Sequence, residues 1–189
     1  ACAGIITKVN MIFMSFVIGI SQGIQPIIGF NYGAAKYTRV RKTYLLALAT
    51  ATALSFVAFG CFQLFPRQII SVFGKGSELY FQFSERYFRI YMFLTLINGI
   101  QPVTSNFFNS IGKSSLGVFM SLTRQILFLL PLIIVFPIFM GIDGVMYAGP
   151  IADAATGIVC GIFTIRELKE LKTLSYTSEN AAAASGSAN

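Results

Sequence analysis

The chain contains no histidine and no tryptophan, and only 7 of its 189 residues are acidic. Without histidine, neither a Ser-His-Asp nor a Cys-His nucleophile can be assembled, and a histidine-containing zinc site is excluded. No GxSxG, HExxH, P-loop or paired-carboxylate motif occurs, so the chain reads as a non-enzyme, with no metal site and no cofactor expected. Cysteine is scarce as well. Cys2, Cys61 and Cys160 lie far apart within apolar runs and read as small buried hydrophobes, not as a disulfide framework. The start at Ala1 shows no basic leader of the signal-peptide kind.

Charge is the largest deficit. Charged residues make up 11% of the chain and hydrophobic ones 55%, with a mean hydropathy of +0.71. A soluble domain carries about 25% charged residues. Too little polar material is present to cover a globule in water, so a lipid bilayer is the expected surrounding. The net charge of +7 would suit nucleic acid if the basic residues formed one patch. They sit between apolar runs instead, where membrane topology places them, and no nucleic-acid partner is expected.

Five apolar runs follow one another: 5–30, 43–65, 87–111, 116–140 and 144–165. Each is long enough, at about 1.5 Å per residue, to cross about 30 Å of hydrocarbon. Between the second and third runs the pattern predicts a short interfacial helix, a turn at Gly74-Lys75-Gly76-Ser77 and a lead-in helix. The expected fold is all-α, a polytopic membrane helix bundle over residues 1–172. Residues 173–189 read as a disordered polar tail or a vector-derived remnant.

Basic residues set the expected orientation. Lys36, Arg39, Arg41 and Lys42 follow the first run, Lys113 the third, and Arg166, Lys169 and Lys172 the fifth. The positive-inside rule puts these ends, and the C-terminus, in the cytoplasm. Arg67, Lys75, Arg86 and Arg89 conflict with it, although Glu78 and Glu85 accompany them. Five crossings that end inside leave the amino terminus outside, so an earlier helix is expected before Ala1.

The polar residues inside the runs are few enough to weigh one by one. Pro26 cannot donate an N–H to the carbonyl of Gln22, which a membrane helix tolerates only where other groups satisfy it. Gly23-Ile24-Gln25-Pro26 recurs as Gly99-Ile100-Gln101-Pro102, each copy followed by Asn, Gly and Lys. Repeats with broken helices at matching positions are a mark of transporters. On unbroken helices Asn98, Gln101, Ser105 and Asn109 would share one face, and Met14, Ile18, Ser21, Gln25 and Gly29 another. Such faces either line a polar cavity or hydrogen-bond to neighbouring helices, and the second is the commoner fate of a single amide. Arg124 and Asp153 lie about 14 Å from opposite surfaces by helical rise. A lone charge at that depth costs about 2.5–3.5 kcal/mol, so an ion pair between them is expected. It would tie the last two helices, or act as a switch that opens when Asp153 is protonated.

With these residues in view, the stretch Gln22–Lys36 resembles the glycine-rich signature of the MATE multidrug and toxic compound extrusion transporters, in the second helix of the C-terminal lobe. Residues 66–73, 87–90, 124–131 and 144–153 are similar to successive segments of the same lobe. The resemblance implies spans eight to twelve of a twelve-helix, two-lobe transporter whose N-terminal lobe lies outside this chain. It implies a Na⁺- or H⁺-coupled antiporter of the plasma membrane that expels organic cation drugs through a cavity opened alternately between the lobes. The family's main coupling acid belongs to the absent lobe. The second acid that some members carry on the tenth helix has no counterpart in the third run, where Asn98, Gln101, Ser105 and Asn109 stand. Gln25, Asn98, Gln101, Asn109 and Arg124 are then the candidates for substrate contact and Asp153 for ion coupling. Pro26, Pro102, Pro131 and Pro150 are the candidate hinges. Two alternatives stand beside this reading: a flippase for lipid-linked sugars, which would want more buried arginines, and a non-transporting membrane assembly protein.

Overall fold

The computed structural model describes residues 2–73, 78–93 and 95–186. The expected turn at 74–77 lies outside them. The described residues form helices and connecting turns, with no strand among them. In chain order these are α1 (Cys2–Gly33), α2 (Tyr37–Leu64), α3 (Pro66–Phe73), α4 (Glu78–Tyr91), α5 (Thr95–Asn98), α6 (Ile100–Ser110) and α7 (Ser114–Leu122). A π-helical segment, Thr123–Leu129, leads without interruption into α8 (Leu130–Met140), and α9 (Ile142–Gly186) closes the chain.

Four stretches are single helices long and apolar enough to cross a membrane: 4–33, 37–64, 114–139 and 147–177. The third expected run is different. Residues 87–111 are not one helix but the end of α4, a turn, α5 and α6. Pro102 has no N–H for the carbonyl of Asn98, and the break at Gly99 moves Pro102 into the first turn of α6, where an N–H has no intrahelical use. Met92, Thr95 and Asn98 at the break are all buried, as non-helical backbone at membrane depth must be. The three pieces still carry the chain from the end where Arg67 meets Glu78 (2.7 Å) to the end where Lys113 meets Glu167 (2.7 Å). The other copy of the repeat behaves otherwise, since α1 runs through Pro26 without a break.

Pro131 acts one turn earlier than itself. It cannot bond the carbonyl of Leu127, and the preceding residues widen into the π segment, with the Leu130 N–H donating to the Gln125 carbonyl. Pro150 lies inside α9. So does the segment from Thr173 to Gly186, expected to be disordered, which the structure instead places on the end of α9; four consecutive alanines there favour helix strongly. Cys160 is buried as expected, but Cys61 is exposed, and both are free thiols.

The helix α9 is the hub. Of the four spans it is the most buried, at 44% of its apolar window, whereas the span through α7 and α8 is only 6% buried. Val17, Ile28, Tyr44, Phe107, Phe108, Met120 and Leu171 fill the centre. Around the outside, large apolar residues such as Phe30, Leu46, Ile138 and Phe139 are bare. That much exposed hydrocarbon fits a bilayer and not water. The chain is a multi-pass membrane protein.

The three basic clusters lie at one end of this bundle. Thr38 and Ser175 hydrogen-bond there at 2.7 Å, and Lys113 reaches both Glu167 and Glu170. At the other end Arg67 pairs with Glu78 and Glu85 and stacks over Phe81. That pairing offsets one of the basic residues that conflicted with the charge rule.

Candidate functional site

The site is built on one face of α9. Gly149, Asp153 and Gly157 are spaced by four residues and therefore stack along it. A Cβ on Gly149 would stand 2.8 Å from the Tyr91 ring, and one on Gly157 would run into Ile97 Cγ2. Only glycine lets the broken segment at 91–98 lie this close to α9. The close approach brings the Asn98 side chain beside the Asp153 carboxylate. From the other side the π segment delivers Arg124, whose Nε donates to Asp153 Oδ1 at 2.5 Å. The Asp153 side chain is 4% exposed and that of Arg124 is 24%. One turn up α9 a cleft of about 190 Å³ opens, lined by Thr7, Tyr87, Tyr91, Leu129, Ile133 and Gly149 among others. Among the described residues two buried polar atoms lack a hydrogen-bond partner, Asn10 Oδ1 and Ser84 Oγ. Asn10 lies one turn from Thr7 on α1, and Ser84 one turn from Tyr87 on α4. Both are thus close along their helices to residues that line the cleft.

The remaining candidates go elsewhere. The face drawn through Asn98, Gln101, Ser105 and Asn109 assumed an unbroken helix, and the break divides it. Asn98 turns to α9. Ser105 donates to the Gly117 carbonyl and pairs with Ser121, both at 2.7 Å, and Gln101 reaches the Met120 carbonyl at 3.4 Å. Asn109 is exposed, and its Oδ1 overlies Gly117. These three therefore hold α6 to α7. Gln25 donates to Asn106 Oδ1 at 2.6 Å, and Asn106 in turn donates to Ser21 Oγ at 2.7 Å. That chain holds α1 to α6. Of the residues singled out in the sequence, then, the structure brings together Asn98, Arg124 and Asp153.

Three polar groups escape a reading by sequence. Asn106 lies about 80° round the helix from the expected face and is found only through its partner on α1. Tyr44 is fully buried, with its hydroxyl 3.0 Å from Thr104 and 3.1 Å from Thr164, which joins α2, α6 and α9. Lys113 bonds Glu167 at 2.7 and 2.8 Å and Glu170 at 3.1 Å. The spacing of Glu167 and Glu170 on one helix face was visible, but their partner, far off in sequence, was not.

Burial works against the charge on Lys113, but the hydrogen bonds to Glu167 and Glu170 outweigh it and hold its pKa above the ordinary lysine value. A raised lysine stabilises the fold in full below its unfolded pKa, about 10.4, and this is lost as pH climbs through the higher folded value. The melting temperature should therefore not change on account of this group between neutral pH and about 10, and should fall above that. In Glu167→Gln the alkaline fall should shrink; an unchanged fall would show that Lys113 is not the group responsible.

Known proteins share this architecture. The MatE family model matches residues 1–135. A structure of the MATE multidrug transporter DinF-BH, solved with a small molecule bound, is 36% identical and covers 86% of this chain with a TM-score of 0.79. An outward-facing MATE family transporter of the MOP superfamily is 17% identical over 91% of the chain, with a TM-score of 0.83. A MATE structure in the bent conformation is 18% identical over 93%, also at 0.83. The last two bear on the fold alone. This chain spans 36% to 39% of the length of those structures. No protein of curated function matches it. The family model covers well over half of the residues, and the membrane-spanning bundle agrees with it: the chain belongs to the MatE family.

Proposed function

We propose that this chain forms the C-terminal transmembrane lobe of a cation-coupled efflux antiporter for organic cation drugs. The lobe works against a partner lobe, and a central path opens alternately to either side. In the membrane the basic end, with the C-terminus, faces the cytoplasm, and the membrane is the plasma membrane. The observation that carries this reading is the Arg124–Asp153–Asn98 cluster inside the bundle, one turn along α9 from the cleft at Gly149. Ionisable groups inside a membrane are expensive, and in transporters they mark ion and substrate paths.

In the proposed cycle Asp153 is the coupling group. While ionised it holds Arg124. Taking up H⁺, or binding Na⁺, weakens that hold and lets the π segment and the broken helix at 92–99 move against α9. Pro102 and Pro131, which already shape those two irregular segments, are the hinges; Pro26 and Pro150 sit in continuous helix and bend less. Arg124 and Asn98 lie outside the lining of the cleft and meet substrate only when these segments move, and Gln25, Gln101 and Asn109 touch it only where the helix seams they close come apart.

The test is transport by the purified protein, together with its partner lobe, in liposomes. A fluorescent organic cation such as ethidium should be expelled when either a Na⁺ or a pH gradient is imposed, and the gradient that works names the coupling ion. Absence of dye movement under both gradients, in protein that melts normally, would overturn the antiporter reading.

A further inference from the structure

At the basic end of the bundle a second concavity lies between α2 and α9. It has a volume of about 200 Å³ and is lined by Tyr37, Thr38 and Arg41 from α2 and by Lys172, Ser175 and Tyr176 from α9. Buried Leu171 forms its floor. Among the described residues, every polar side chain on its wall bears either a positive charge or a hydroxyl, and none is a carboxylate. The acids preceding it along α9, Glu167 and Glu170, are held by Lys113 at 2.7 and 3.1 Å. Their charge is therefore committed elsewhere. The walls are fixed relative to each other by the 2.7 Å hydrogen bond between Thr38 and Ser175. The Lys172 ammonium is steadied over the Tyr176 ring, 5.9 Å from its centroid.

We infer that this cleft binds a phosphate group, of the kind carried by an anionic lipid headgroup or by a soluble phosphate. The guanidinium of Arg41 presents a planar fork that suits two phosphate oxygens, and Lys172 supplies a compact charge for a third. The hydroxyls around them donate to the remaining lone pairs. The volume admits a phosphate with several waters, each of which needs about 30 Å³. Depth favours the lipid. From Leu64 back to Arg41 the helix rises about 35 Å, a few ångströms more than the hydrocarbon thickness of about 30 Å. Arg41 thus sits at headgroup level. Tyr32 and Tyr37, edge to face at 5.6 Å, and Tyr176 lie at the same end, as interfacial tyrosines do. Basic pockets between membrane helices bind phospholipid headgroups for the same reason. The inference needs only the membrane-spanning bundle and is independent of transport.

The experiment has two arms on the purified protein in detergent. In the first, retention of phosphatidylglycerol and of phosphatidylcholine is compared by native mass spectrometry. In the second, the melting temperature is followed in sodium phosphate and in sodium chloride at equal ionic strength. Arg41→Gln and Lys172→Gln are tested against Arg39→Gln and Lys169→Gln, which remove the same charge nearby but outside the cleft. All four side chains are exposed, so folding is preserved. Removing either cleft charge should weaken binding about fivefold, while the outside pair changes it by less than about twofold. A loss confined to the lipid arm identifies a headgroup site; a loss confined to the phosphate arm identifies a soluble ligand. Equal losses from all four variants, or no phosphate preference in either arm, would overturn the inference and leave only the general field of a basic surface.

Discussion

Asp153→Asn should be the most damaging conservative substitution in the chain. The amide keeps the shape of the carboxylate, but it leaves the Arg124 guanidinium without a counter-ion where its side chain is only 24% exposed. Breaking one partner of a buried pair costs about 3–5 kcal/mol, well above the roughly 0–1 kcal/mol typical of an exposed pair. The measurement is thermal or denaturant unfolding of the reconstituted protein, paired with dye efflux. Two double variants then separate the roles. In Arg124→Gln/Asp153→Asn the lone charge is gone, so most of the lost stability should return. If efflux returns with it, the pair is a structural tie alone. If stability returns and efflux does not, one or both members of the pair act in transport itself. The charge swap Arg124→Asp/Asp153→Arg repeats the comparison with the pair retained. A melting point for Asp153→Asn indistinguishable from that of the parent would dismiss the pair altogether.

The second large effect is steric. Gly157→Val would drive a branched side chain into Ile97, whose Cγ2 already crowds the position of a first carbon. Overpacking of a tight contact costs about 1–3 kcal/mol. Here it should cost function as well, because α5 carries Asn98 next door to Ile97 and would be pushed away from Asp153. Ile97→Ala in the same protein removes the obstacle and should recover much of both. Gly161→Val is the control, since no atom lies within 4 Å of a carbon added there. If Gly157→Val and Gly161→Val behave alike, the close approach of α5 to α9 is not what positions the site.

Much of this protein was legible before any coordinates. A helix rises evenly, so counting residues inward from two surfaces placed Arg124 and Asp153 at one level, and they do meet. Hydropathy is a local sum, and it located the four helices long and apolar enough to span. It failed where continuity mattered. Residues 87–111 have the composition of a span, but Gly99 and Pro102 break them, and no sum over a window registers a break. The error then spread, since the face through Asn98, Gln101, Ser105 and Asn109 holds only on an intact helix. The π segment was hidden for a similar reason: one extra residue in a turn rotates everything after it, and the sequence carries no mark of it beyond Pro131.

Residence in the membrane and the common level of Arg124 and Asp153 were dictated by the order of residues. These follow from one-dimensional quantities, the transfer of side chains to hydrocarbon and the rise per residue. Which way each polar group faces was settled only in three dimensions: Gln25 to Asn106, Tyr44 to Thr104 and Thr164, Lys113 to Glu167, and Asn98 to Asp153. Those partners depend on how each helix is turned about its axis, and the turn is set by close approaches such as Gly157 on Ile97 between segments remote in the chain.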